Sequence, residues 1–231
     1  MKQFVFALIL AAASVAHAGG PYVFDYRENG RPARVEVFIT DVTEEPLAQT
    51  PDLEALEATP VCYKLAAAWK RPVDWAVKGT EFPVAKNTVI GLMTQAMNIW
   101  ESAAGTRRIF GENDQGILGF RAPESYAQFA HMSNPFLAVT MRHSRQKPNG
   151  TYEPTRWTIL YSLDHPWATD GRADAYDFLS VAAHETGHVA GLGHPDPSAC
   201  PDETMYPGIF KGELKKRTLH TGDIAGINAL Y

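Results

Sequence analysis

The chain has 231 residues, 45% of them hydrophobic and 20% charged, which fits one folded globular domain with a small appendage and excludes a disordered or collagen-like chain. Twenty-one Lys and Arg against 26 Asp and Glu leave a formal charge of -5 at pH 7, so no basic field exists to hold nucleic acid or an anionic membrane. The apolar run Phe4 to Ala13 falls short of the roughly 20 residues of a spanning helix, and no membrane insertion is expected.

The run reads instead as the core of a signal peptide. Lys2 supplies the positive end, Phe4 to Leu10 the apolar stretch, and Ala16-His17-Ala18 a small-x-small cleavage site. Residues 1–18 are therefore predicted to be removed after Ala18, giving a secreted or periplasmic protein that starts at Gly19. Export makes Cys62 and Cys200 candidates for one disulfide, with two separate buried thiols as the alternative.

Residues 19–66 read as an N-terminal extension, either a propeptide or an added sheet edge. Asn29-Gly30 is a turn signal, and Val35, Val37 and Ile39 alternate with Glu36, Phe38 and Thr40, which predicts a strand with one buried face. Thr43 to Pro60 is acidic and carries three prolines, so a loop with at most a short helix over Asp52 to Ala58 is expected.

Residues 67–231 show firmer signals. Pro72 to Lys78 predicts a strand. From Asn87 a helix follows whose Val89, Met93, Ala96, Met97, Trp100 and Ala104 keep 3.6-residue spacing up to Gly105. Short strands are expected at Ile109-Phe110 and Ile117 to Phe120. Longer ones are expected at Phe136 to His143 and Arg156 to Leu163, separated by the turn Pro148-Asn149-Gly150. A second helix is predicted over Asp174 to Leu192 and a third over Thr221 to Tyr231, with Thr221 as N-cap.

The second helix holds His184-Glu185-Thr186-Gly187-His188-Val189-Ala190-Gly191-Leu192-Gly193-His194, which fills every fixed position of HExxHxxGxxH. Residues i and i+4 share a helical face, so His184 and His188 can aim at one point about 2.0–2.1 Å from each. A continued helix would carry His194 about 15 Å along the axis. Gly191 can take the left-handed conformation that ends a helix and returns the chain. Three neutral histidines leave a coordination position open, the arrangement of one catalytic Zn2+. Glu185 is not needed as a ligand and is placed to act as general base toward a zinc-activated water, which suits peptide-bond hydrolysis.

These residues resemble the metzincin clan and, within it, the matrixin family of zinc endopeptidases. Phe178 to Ala183 is similar to the start of the matrixin active-site helix, Thr204-Met205-Tyr206-Pro207 to its Met-turn, and Gly222 to Tyr231 to its closing helix. The resemblance implies an α+β fold: a twisted mixed β-sheet with two long helices, one of them the active-site helix, and a small C-terminal subdomain with a closing helix. Met205 would be an apolar floor under the histidines, and Tyr206 is not assigned as a ligand. Matrixin propeptides carry a Pro-Arg-Cys-Gly switch that caps zinc; Pro60-Val61-Cys62-Tyr63 lacks its Arg and Gly, so capping by Cys62 ranks below the disulfide. Pro195 departs from the small hydroxyl residue more usual in matrixins.

The expected partner is a protein or peptide substrate, met by a monomer. The resemblance implies that an exposed edge strand, Phe136 to His143, pairs with an extended substrate. The residue after the cut would enter a mostly apolar pocket walled by Tyr206, Pro207, Gly208, Ile209 and Phe210. From another class of function, the alternative is a zinc-containing binding or adhesion module without turnover; retention of Glu185 weighs for the enzyme. His131, His143, His165 and His220 have no paired metal spacing. Asp170, Asp174 and Asp177 lie in a loop whose carboxylates suit Ca2+, but it reads as solvated, as does the charge run Lys215-Lys216-Arg217.

Overall fold

Alternating and β-branched segments build one dominant sheet, against which two long helices pack their apolar faces. The computed structural model describes residues 20–43, 61–105, 107–114, 124–132 and 136–231. The signal peptide, the helix over Asp52 to Ala58 and the strand over Ile117 to Phe120 lie outside the described residues. In chain order the elements are β1 (Tyr22–Glu28), β2 (Arg31–Val42), β3 (Lys64–Leu65), β4 (Val73–Lys78), α1 (Lys86–Ala103), β5 (Phe110–Asn113), β6 (Ser125–Ala130), β7 (Phe136–Gln146) and β8 (Tyr152–Ser162). They continue with β9 (Trp167–Ala168), β10 (Tyr176–Asp177), α2 (Phe178–Ala190), β11 (Leu192–Gly193), β12 (Gly208–Ile209), a 3-10 turn over Lys215–Arg217, and α3 (Thr221–Leu230).

The sheet runs in the order β1-β2-β7-β8-β6-β4-β5, with β12 paired to β2. Strands β8, β6, β4 and β5 are mutually parallel, and β7 returns antiparallel to β8. The fold is thus the expected α+β type with a mixed sheet. The extension supplies a hairpin, β1–β2, turned at Asn29-Gly30 with both residues at positive φ, as a two-residue hairpin turn requires.

One expectation is overturned here. Phe136 to His143 is an interior strand, because β2 pairs antiparallel along β7 from Ala33↔Arg145 to Asp41↔Phe136. The sequence shows that β7 can pair but not that the extension folds back to pair with it. In β2 itself, Val35, Val37 and Ile39 are buried as expected, but Phe38 and Thr40 on the opposite face are buried too.

Two apolar clusters result. The larger joins α1, α2 and strands β4 to β8, with Met93, Trp100, Trp157, Tyr161, Phe178 and Val181 among its members. The smaller lies on the other face of the sheet, where Val35, Val37 and Ile39 meet Met132, Phe136, Val139, Met141 and Leu160.

Helix ends are set by side chains and by glycine. Helix α2 begins at Phe178 rather than Asp174, because Tyr176–Asp177 pairs with β9 and Asp177 becomes the N-cap. Its carboxylate accepts from Ser180 N at 2.8 Å and from Arg217 Nε and Nη2 at 3.0 and 2.5 Å. The cap of α3 is His220, not Thr221: Asp223 reaches back to His220 N at 3.0 Å and closes a capping box. Replacing Asp177 with alanine removes a cap and strands a cation beside a buried position. Asp177→Ala should cost about 2–4 kcal/mol in urea denaturation.

Candidate active site

Helix α2 is buried along its whole length, and its C-terminal half carries the chemistry. Gly191, at φ 116°, ends the helix, its N–H donating to the carbonyls of Gly187 and His188 at 3.1 Å. The chain then returns through β11, which pairs with β3, and delivers His194. Trp69 Nε1 donates to Val189 O at 2.6 Å and Tyr231 Oη to Ala190 O at 2.8 Å, which fixes where the helix stops.

His184, His188 and His194 converge, with Nε2 atoms 3.0–3.2 Å apart. His184 Nδ1 donates to Thr204 O at 2.7 Å and His188 Nδ1 to Leu192 O at 2.8 Å, so their Nε2 atoms face the cluster as lone pairs. Burial holds the His188 imidazolium off, pushing its pKa down to about 3, and burial together with the Lys216 charge holds the His184 imidazole well below its ordinary range. Acceptor nitrogens at this separation repel unless a cation lies between them. Ligands on a tetrahedral zinc at about 2.0–2.1 Å stand about 3.3 Å apart, so the donor set fits Zn2+. Among the described residues it is the one cluster of His, Cys, Asp and Glu that converges in this way.

Glu185 lies beside the cluster. Thr40 Oγ1 donates to its Oε1 at 2.7 Å, and Thr140 Oγ1 to its Oε2 at 2.5 Å. Burial pushes the carboxyl up to about 7, against the pull of these two hydroxyls. Met205 is buried under α2, where a Cβ on Gly187 would overlap its Sδ. Asp223 ties this turn to α3, accepting from Thr204 N at 2.7 Å and Met205 N at 3.1 Å.

A family model described as matrixin matches residues 68–231. The chain belongs to the matrixin family. Matrilysin of Felis catus is 32% identical over 146 residues, covering 62% of this chain and 52% of its own. Matrilysin of Mus musculus is 39% identical over 201 residues, 86% of this chain and 70% of its own. Matrix metalloproteinase-19 of Homo sapiens is 26% identical over 172 residues, 73% of this chain and 31% of its own. The chain thus spans about half the length of the cat relative and a third of the last.

Other candidate residues of this matrixin fall as follows. Cys62 and Cys200 form a disulfide, which leaves no thiol to cap a metal. Gly208 and Ile209 form β12 and pair with Asp41 and Val42, so Ile209 is buried, while Tyr206, Pro207 and Phe210 are part-exposed. Asp177 is committed to its cap and Asp174 to Arg172, so these two acidic residues do not meet as a Ca2+ site.

Lys216 corrects the reading of its run as solvated surface. It is 0% exposed, and its Nζ donates to Thr204 O at 3.1 Å and Tyr206 O at 2.6 Å, with burial pushing its pKa down to about 7. Thr204 O thereby serves both Lys216 and His184. Thr40 and Thr140 also escaped sequence reasoning: each is a single hydroxyl in a strand, without a spacing that links it to Glu185.

Gly187→Ala should force Met205 and Trp100 from under α2, since the added Cβ also lies 2.6 Å from Trp100. A loss of about 1–3 kcal/mol, read by urea denaturation of the metal-free chain, is expected from such overpacking.

Proposed function

We propose that this matrixin is an exported zinc-dependent endopeptidase in which His184, His188 and His194 hold one catalytic zinc ion and Glu185 is the general base. The observation that carries the reading is the meeting of three imidazole nitrogens at 3.0–3.2 Å with a carboxylate on the neighbouring residue. When bound, zinc supplies Lewis acidity, which polarises a carbonyl and lowers the pKa of water to about 7.

The chain does the rest. Carbonyls of Thr204 and Leu192 hold the His184 and His188 rings in the tautomer with Nε2 as acceptor. Glu185 takes a proton from the attacking water at Oε1 and passes it to the departing amine, while Thr140 keeps Oε2 in place. A carboxyl near pKa 7 suits both transfers. Met205 shapes the floor. Tyr206, Pro207, Ile209 and Phe210 wall a pocket that takes an apolar residue just after the cut.

Export with cleavage after Ala18 goes with this reading, and a disulfide between Cys62 and Cys200 favours an oxidising compartment. The peptidase unit is residues 67–231 and the extension residues 19–66, in a monomeric protein. One observation, the full enclosure of Glu185, favours a second reading as a zinc-containing binding module without turnover.

A proteome-derived peptide library, cut with and without a zinc chelator and mapped by mass spectrometry, separates the two. Chelator-sensitive cuts with apolar residues after the scissile bond are expected; no such cut supports the binding module. His188→Ala should lose most bound zinc by elemental analysis. Glu185→Ala should keep zinc and lose at least about 100-fold in rate.

A further inference from the structure

We infer that residues 61–66 are a positioning element of the zinc site: the Cys62–Cys200 disulfide and the β3–β11 pair brace the chain on both sides of His194 and thereby set the metal affinity. The inference rests on the zinc reading of the three histidines and not on turnover. What it adds is a short segment, preceding the matrixin match over residues 68–231, on which the third ligand depends.

The first observation is where the two ties fall. Immediately before His194, Leu192 pairs with Leu65 and Gly193 with Lys64, and Ala66 N donates to Gly191 O at 2.7 Å. Six residues after His194, Cys200 is bonded to Cys62. The chain between is a tight turn held on Asp196. Its carboxylate accepts from Ser198 N at 2.9 Å and Ser198 Oγ at 2.7 Å, and its carbonyl accepts from Cys200 N at 3.0 Å. Residues 191–200 thus form one loop with His194 inside it and both ends fastened to the same short segment. His184 and His188 need no such brace, because one helix carries both.

The second observation is what the segment rests on. A Cβ at Gly222 would overlap Cys62 O, and one at Gly226 would lie 2.8 Å from Tyr63 Cβ and from Leu192 Cδ2. These glycines are four residues apart on one face of α3, so together they form a groove that seats Cys62 and Tyr63 against the helix. The start of α3 also supports the Met-turn, since Asp223 accepts from Thr204 N and Met205 N, and Thr204 O holds His184. Residues 61–66 therefore stand between the loop of the third ligand and the helix that fixes the first.

The third observation is that the segment does not hold itself. Strand β3 has two residues, both exposed, with Leu65 48% exposed. A pair this short buries too little to persist alone. Trp69 anchors the chain beyond it through Val189 O, and the disulfide is the tie at the other end. With that tie in place the pairing is intramolecular at high effective concentration; without it one end is released and the loop of His194 loosens.

The test is made on the full chain, at a temperature where circular dichroism shows each metal-free form folded. Cys62→Ser with Cys200→Ser, both changed so that no lone thiol meets the metal, is compared with the parent chain. Zinc affinity is read by chelator competition, and four-coordinate geometry by the visible absorption of the Co2+-loaded protein. Loss of an outer support costs about 10–100-fold in metal affinity, so the zinc Kd should rise at least about 10-fold and the cobalt bands should weaken. Ala66→Pro keeps the disulfide, removes the N–H to Gly191 O and should weaken zinc binding in the same direction. Leu160→Ala, in the smaller cluster on the other face of the sheet, is the control for lost stability and should leave zinc affinity unchanged.

Zinc affinity and a cobalt spectrum equal to the parent's in the folded double serine variant overturn the inference, as does a fall in affinity that Leu160→Ala reproduces. Where the double variant fails to fold, Ala66→Pro decides by the same two readouts. A parent chain that binds no stoichiometric zinc overturns the zinc reading and the inference with it. Weakened zinc binding in the variants of a parent that cuts no peptide upholds the brace and overturns the endopeptidase reading alone.

Discussion

A left-handed turn at Gly191 is the constraint on which the site depends. His184 and His194 are ten residues apart, and a continued helix would hold them about 15 Å from each other. With α2 stopped at Ala190 and the chain returned through β11, their Nε2 atoms lie 3.2 Å apart. Several contacts hold the helix to that endpoint, from Trp69, Tyr231 and Ala66, the last donating to Gly191 O at 2.7 Å. A Cβ at Gly191 would meet Ala67 O at 3.1 Å besides straining the turn.

Around this turn the protein orients imidazoles with backbone carbonyls rather than carboxylates. Thr204 O and Leu192 O fix two tautomers without adding a negative charge that would favour protonated rings. The loop that presents Thr204 O is held in turn by charged groups it encloses. Asp223 takes the N–H groups of Thr204 and Met205, Lys216 takes the carbonyls of Thr204 and Tyr206, and Glu203 takes the N–H groups of Gly222 and Asp223. Buried charges are costly unless so fully bonded, and that expense is accepted where ring position has to be exact.

The hairpin shows how one strand serves two faces of a sheet. Val35, Val37 and Ile39 close the smaller apolar cluster, while Phe38 and Thr40 lie against α2. Covering β7 also removes an edge that would otherwise offer unpaired main-chain groups to other chains. The same pairing that protects the edge closes the site.

Much was legible in advance where the information is local. The periodicity of Val89 to Trp100 marked α1, and the alternation at Val35 to Ile39 marked β2. The HExxHxxGxxH spacing marked three histidines and a neighbouring glutamate for one site, two of the histidines through helix geometry that sequence alone dictates. Helix ends were off by one to four residues, because Asp177 and Asp223 select their caps through partners distant in the chain, Arg217, Thr204 and Met205. Lys216 looked solvated for the same reason: its two acceptors belong to another loop. Local spacing thus determined which residues could form the centre and the elements that carry them. Only the tertiary structure decided that β7 is interior and that Thr40 and Phe38 cover the site, because strand pairing between residues about a hundred apart leaves no periodic trace in either strand.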